Sequence, residues 1–333
     1  MDLKFKEAFE NKDRESLDRM LHKDIVMRRA DGSTAHGVSG VLTALVEECF
    51  PSIRHMESYE NLTLVQFENT LAMKLKYRNG LISRLYLDHI NEAYKRIRVD
   101  VSYDGTLYHG FQRQKHKETV QGTIEKVLNH LTNESITITP SGRTDKGVHA
   151  LKQVFHFDTQ SPLSPKRLES LMNRMLPADI VVKSATVVPA LFHARFDVRK
   201  KVYHYRITHK KDAFKAHYAL YHAPLDLGMF NAILRQFEGL HDFSGFTRKN
   251  AHAMTWRSVR TCKAIQVDGE TIVIVESEGF LRHMVRYMVG TALRDLEKGT
   301  KAVELALKRP KDSHVYLAPA QGLSLHDVHY TLN

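Results

Sequence analysis

A discontinuity near residue 94 constrains this chain more than any other feature. Residues 1–93 carry 13 Lys and Arg against 15 Asp and Glu, a net of −2. Residues 94–333 carry 36 against 23, a net of +13. The patterning changes at the same place, across a short basic junction, Tyr-Lys-Arg-Ile-Arg at 94–98, with no Pro/Gly/Ser-rich linker. At about 100–200 residues per domain, 333 residues make about two domains. We therefore expect a near-neutral domain over 1–93 and a basic one over 94–333. A basic domain of that size favours a polyanionic partner.

Composition closes off several classes. With 42% apolar and 26% charged residues the chain can bury a core, which excludes the disordered and fibrous classes. No window reaches the ~18 uninterrupted apolar residues of a membrane span. The charged, periodic N-terminus lacks the apolar segment and cleavage site of a signal peptide. The two cysteines, Cys49 and Cys262, are too far apart in sequence to read as a disulfide framework or a zinc site. A reduced cytoplasmic setting is the expectation.

Residues 2–22 carry a broken helical stripe (Leu3, Phe5, Ala8, Phe9, Leu17, Met20, Leu21), and the polar run Asn11–Ser16 divides it into two helices. A short strand from Asp24 and a turn at Asp31-Gly32 precede a third helix, with Ser39 as its N-cap and Pro51 as its stop. Strand-like stretches follow at 54–59, 62–67, 70–77 and 81–90, the last two joined by Asn79-Gly80. Helices, strand, helix and a run of antiparallel strands make an α+β layout.

This order, with the passage Gly32-Ser-Thr-Ala-His-Gly37-Val-Ser-Gly40-Val-Leu, resembles the nuclear transport factor 2-like (SnoaL-like) family. The resemblance implies a cone-shaped α+β domain and leaves room for a small ligand. Candidate pocket residues are Asp24, His36, Tyr59, Asp88 and His89, each of which also reads as an ordinary surface or cap residue.

In the second domain the alternation Ile97, Val99, Val101, Tyr103 marks a strand. Thr119 caps a helix over 120–131, and strands are expected at 136–139, 153–158, 180–188 and 197–208. Ser164-Pro165 opens a helix. A helix over 227–238 between Asp226 and Gly239 follows, then a hairpin across Asp268-Gly269, helices 281–298 and 301–308, and a closing strand 323–330. These elements form two βα-rich halves around a largely antiparallel sheet.

The loop Ser141-Gly-Arg143-Thr-Asp145-Lys146-Gly-Val-His149 is the most informative stretch. A carboxylate in such a loop serves as nucleophile, as base or as a plain turn residue. Arg143 serves a carboxylate or a phosphate. Around it stand Tyr103-Asp-Gly-Thr-x-Tyr-x-Gly-Phe-Gln112-Arg113-Gln114, Thr119-Val-Gln-Gly122, Gln153-Val-x-His-Phe157, Phe192-His-Ala-Arg-Phe196, Tyr203-His-Tyr205, His241-Asp-Phe243 and Gly279-Phe-x-x-His-Met-Val-Arg-x-x-Val-Gly290. In that order these motifs resemble the tRNA pseudouridine synthase A (TruA) family over about 95–331.

The resemblance implies isomerisation of uridine to pseudouridine at positions 38–40 of the tRNA anticodon arm, by a homodimer with no metal and no organic cofactor. Asp145 falls on the aspartate that attacks the ribose C1′ or the base. Tyr203 falls on the tyrosine that stacks on the target base and is also a candidate base. Arg143 falls on the arginine that supports flipping, and Arg286 on the one that pairs with the aspartate. Gln112, Arg113, Gln114, Lys146, His149 and Arg282 are candidate substrate contacts. His149, His193 and His283 also read as packing scaffold, and Arg282 as a solvated neighbour of Arg286 one helical turn on. Tyr203 and Tyr205 share a strand face, and the second is expected to be core. The partners implied are the tRNA anticodon stem-loop and a second copy of the chain, with no membrane. The rival reading is a non-catalytic tRNA-binding protein or chaperone of the same fold, or a separate small-molecule role for residues 1–93. The presence of Asp145, Tyr203 and Arg286 argues for the enzyme.

Overall fold

A computed structural model describes residues 2–28, 34–47, 53–59, 62–67, 71–78, 81–89, 93–247, 255–308 and 314–330. The chain divides into two compact units, Met1–Lys95 with Pro189–Phe192, and Arg96–Val188 with His193–Asn333.

The first unit opens with α1 (Asp2–Glu10) and α2 (Arg14–Met20). The polar run between them works as a cap: the Asp13 carboxylate accepts the Ser16 amide at 3.1 Å. Next come β1 (Leu21–Arg28), β2 (Thr34–His36), α3 (Gly37–Glu47), β3 (Ile53–Tyr59), β4 (Leu62–Phe67), β5 (Leu71–Arg78) and β6 (Leu81–His89). They form one sheet in the order β2-β1-β6-β5-β4-β3. The β1–β6 pairing is parallel and the others antiparallel. Phe5, Leu17, Ile25, Val41, Met73 and Leu85 make the centre of its core. Two local expectations change. A short strand, β2, stands inside the glycine-spaced passage, and Ser39 lies within α3 rather than capping it. His36 is exposed and meets the Thr34 hydroxyl at 3.0 Å. Asp24, Tyr59, Asp88 and His89 fall in β1, β3 and β6, with side chains outside the described residues, as are Asp31-Gly32, Pro51 and Asn79-Gly80.

The second unit supplies β7 (Lys95–Tyr103), α4 (Val120–Thr132), β8 (Thr139–Pro140), β9 (His149–Thr159), α5 (Pro165–Met175), β10 (Ile180–Val188) and β11 (Val198–Thr208). Then come β12 (Leu220–Tyr221), α6 (Leu227–Leu234), β13 (Gly239–Asp242), β14 (Trp256–Val267), β15 (Glu270–Ser277), α7 (Met284–Lys298), α8 (Ala302–Lys308) and β16 (Leu323–Tyr330). The helix starts follow their caps. The hydroxyls of Thr119 and Ser164 and the Asp226 carboxylate accept the amides of Gly122, Arg167 and Met229. Asp268 and Gly269, both at positive φ, turn the β14–β15 hairpin.

The sheet runs β10-β7-β9-β16-β11-β15-β14-β13, and is antiparallel except where β9 meets β16 and where β12 joins β11. The closing strand thus fills the seam between the halves, with β9 on one side and β11 on the other. Three sequence expectations need correction. Of 136–139, only Thr139 enters a strand. The helix from 227 stops at Leu234 and tightens to a 3₁₀ turn, while Gly239 opens β13. The helix expected from 281 begins at Met284, because His283 holds a left-handed backbone.

Candidate active site

Asp145 lies in the loop between β8 and β9, and its main-chain carbonyl accepts the Val148 amide at 3.1 Å, closing a turn. Two close backbone approaches fix this loop. The Phe111 amide donates to the Thr144 carbonyl at 3.1 Å, and Gly110, at φ +92°, would drive a Cβ to 2.8 Å from that same oxygen. Gly105 would place a Cβ 2.1 Å from the Val148 carbonyl oxygen, so only glycine fits.

Buried polar groups hold the loop from beneath. The Tyr103 and Thr144 hydroxyls lie 2.8 Å apart, and burial pushes the Tyr103 phenol up to about 12. Ser141 donates to Gln153 Oε1 at 2.6 Å, and Gln153 Nε2 donates to the Gly142 carbonyl at 2.9 Å. From β11, Lys201 donates to the Ser141 carbonyl at 2.6 Å. Lys201 is buried, has no acidic partner among the described residues, and has its pKa lowered to about 7 by desolvation, with Arg195 adding like-charge repulsion.

Two groups reach the same carboxylate oxygen of Asp145. His283 Nδ1 stands 3.1 Å and Arg286 Nη1 3.5 Å from Oδ2. Arg282 Nε donates to His283 Nε2 at 3.1 Å, and Arg286 Nη1 lies 3.4 Å from His283 Nδ1, so the ring is gripped from both sides by guanidinium groups. Arg286 is fixed in turn: its Nε donates to the Ala318 carbonyl at 2.8 Å, and the Ala318 amide donates back to the Arg286 carbonyl. The left-handed backbone at His283 aims its ring at the loop. The family resemblance implies Arg286 alone as the aspartate's partner, although His283 stands in the same motif.

Tyr203 and Tyr205 share a face of β11 but not an environment. The Tyr205 hydroxyl donates to the Pro319 carbonyl at 2.9 Å, and its side chain is core. Tyr203 packs edge-on against Phe280, ring centres 5.1 Å apart, and its hydroxyl has no hydrogen-bond partner among the described residues. Burial raises its pKa strongly, with Tyr103 and Asp145 adding to the shift.

The remaining candidates separate. Arg143, Lys146 and Gln112 are exposed and make no side-chain bond among the described residues. Arg113 lies 3.1 Å from the buried Glu125 carboxylate, an ion pair lacking hydrogen-bond alignment, and Gln114 donates to the His109 carbonyl at 2.8 Å. His149 is corrected as a substrate contact. It is buried, its Nε2 bonds the His217 carbonyl at 2.8 Å, and its Nδ1 accepts the Gly105 amide at 3.1 Å, leaving neither nitrogen for a phosphate. Arg282 precedes α7, so the helical spacing to Arg286 does not hold, and its guanidinium reaches His283 instead. No cluster of three metal-ligating side chains occurs, and no helix is long and apolar enough to cross a membrane, among the described residues.

A family model described as tRNA pseudouridine synthase matches residues 101–197 and 233–331. The tRNA pseudouridine synthase A of Anoxybacillus flavithermus is 38% identical over 245 residues, 71% of this chain and 99% of its own length. That of Brevibacillus brevis is 39% identical over 247 residues, 71% of this chain and 100% of its own. Among solved structures, an NTF2-like protein of unknown function from Cytophaga hutchinsonii is 15% identical, covering 26% of this chain and 84% of its own, with a TM-score of 0.23.

Proposed function

The chain belongs to the tRNA pseudouridine synthase family and isomerises uridine to pseudouridine in tRNA, and we propose that it does so at positions 38–40 of the anticodon arm with Asp145 as the reacting carboxylate. The observation that carries this reading is the fixing of one Asp145 oxygen by both His283 and Arg286. The reaction breaks the N1–C1′ bond, turns the uracil, forms C5–C1′ and moves a proton from C5 to N1. It consumes no water and changes no oxidation state. A carboxylate can attack C1′ or the base and depart again, so no metal is required.

Arg286 and His283 orient the carboxylate and offset its charge as it attacks and leaves. Tyr203 supplies an aromatic platform for a uracil taken out of its stack. A phenol is protonated at neutral pH, and burial raises its pKa further, which favours the stacking role over the base role. Arg143, exposed and unbonded, steadies the flipped nucleotide's phosphate. We further read residues 94–333 as the synthase domain, acting as a cytoplasmic homodimer. Residues 1–93 are an accessory cone-fold domain that modulates the dimer or holds a small ligand.

Tritium release from 5-labelled uridine tests this directly, using transcripts with a single anticodon-arm uridine at 38, 39 or 40. Release from those transcripts, and none with Asp145→Asn, is the expected result. Turnover by Asp145→Asn would remove the carboxylate from its role, and product only at other positions would overturn the site assignment.

A further inference from the structure

Beyond β11 the chain makes an excursion over residues 209–219 and returns to the same strand, where Ile207 pairs with Leu220 and Thr208 with Tyr221. Compact loops closed at their base in this way are frequently functional. The base is tied down. His209 bonds the His222 carbonyl and the Thr271 hydroxyl, and Lys215 pairs with Glu270 at 2.6 Å. The Tyr218 hydroxyl donates to Asp104 at 2.7 Å, and the His217 carbonyl is bonded to His149. His149 begins the strand that leaves the Asp145 loop, so the excursion is bonded to the flank of the active site.

The tip has the opposite character. Asp212 caps a single 3₁₀ turn by accepting the Phe214 amide at 2.9 Å, and that turn holds the Phe214 side chain out, 90% exposed. Lys210 and Lys211 precede it, both exposed and with no acidic partner among the described residues. Lys211 Nζ sits 5.7 Å over the half-exposed Tyr221 ring. A protruding aromatic on a capped turn, with neighbouring cations that have no acidic partner among the described residues, suits single-stranded nucleic acid, where every base offers a π-face and every linkage a negative charge. A second copy of this chain fits less well, because apposed tips would set lysine against lysine.

We propose that residues 209–219 form an RNA-docking arm, with Phe214 stacking on an unpaired base of the tRNA and Lys210 and Lys211 on the adjoining phosphates. This rests on tRNA being the substrate, as read above. The arm delivers the bound strand toward Asp145 through its bonds to His149 and Asp104. It is a binding element and takes no part in the bond changes.

The test is equilibrium binding of an unmodified tRNA transcript to full-length Asp145→Asn protein, alone and with Phe214→Ala or with Lys210→Ala plus Lys211→Ala. Sedimentation of each variant is recorded alongside. Phe214→Ala is expected to weaken binding about tenfold. The double lysine variant is expected to lower the slope of log affinity against log salt by about two. Affinity within twofold together with an unchanged slope overturns the arm. A change of oligomeric mass on Phe214→Ala also overturns it, by placing Phe214 between copies. Pseudouridine formation by the unaltered chain is measured separately. If it is absent while Phe214 still governs binding, the catalytic reading fails and the arm stands.

Discussion

The two sides of the Asp145 loop are built on opposite principles. Beneath the loop, Ser141, Thr144, Gln153 and Lys201 are buried and hydrogen-bonded. Above it, Arg143 and Lys146 are exposed and unbonded. Geometry is paid for before substrate arrives, while charge waits in solvent for a partner to neutralise. Damage below the loop should therefore act on rate and stability at any salt concentration. Damage above it should act on affinity, and less so as salt rises.

The largest expected effect is the loss of all measurable turnover in Asp145→Asn with tRNA binding retained, read by tritium release and equilibrium binding in parallel. Next comes the fixing of the carboxylate. Arg286→Ala and His283→Ala should each lower the single-turnover rate about a hundredfold, in the range seen when one preorganised partner of a reacting charge is removed. Equal losses would show that both partners matter. A loss confined to Arg286→Ala would reduce His283 to scaffold.

Lys201 gives a pH test of the buried side. Its folded value near 7 lies below the ordinary lysine value, so across the interval between them the unfolded chain binds a proton that the folded chain does not. Stability must rise with pH through that interval. The stability difference between the unaltered protein and Lys201→Met should move in favour of the unaltered protein from pH 7 to 9, by on the order of 1 kcal/mol per pH unit. A flat difference in chemical denaturation would mean that the amine stays charged.

On the exposed side, Arg143→Ala and Lys146→Ala should each reduce the salt slope of tRNA binding by about one. The smallest effect is expected from removing residues 1–93, which carry a net −2 and stand outside the unit that holds Asp145. Single-turnover rates of the remainder should stay within tenfold. A larger drop in folded protein would place part of the site in those residues.

Much of this was legible in the sequence because it is local. Thr119, Ser164 and Asp226 announce their helices through caps, and Asp268-Gly269 announces its hairpin, since each acts within a few residues. Lys201 was not read from the sequence: it alternates with Tyr203 and Tyr205 along one strand, but its burial beneath Ser141 depends on a contact 60 residues away. His283 was not legible. Its approach to Asp145 depends on a left-handed backbone that a helical reading of 281–298 erases, and the same error set Arg282 on the wrong path. The position of β16 is a third such case, because strand order records pairings over long sequence separations that periodicity does not carry.

That position of β16 has a consequence for biosynthesis. A ribosome delivers residues 323–330 long after β9 and β11, yet those residues fill the gap between the two strands. Until they emerge, the halves bearing Asp145 and Tyr203 have no shared sheet, and the exposed edges of β9 and β11 are open to mispairing. The nascent chain therefore cannot present an assembled site to tRNA during its own translation. Completion of the enzyme therefore waits on β16.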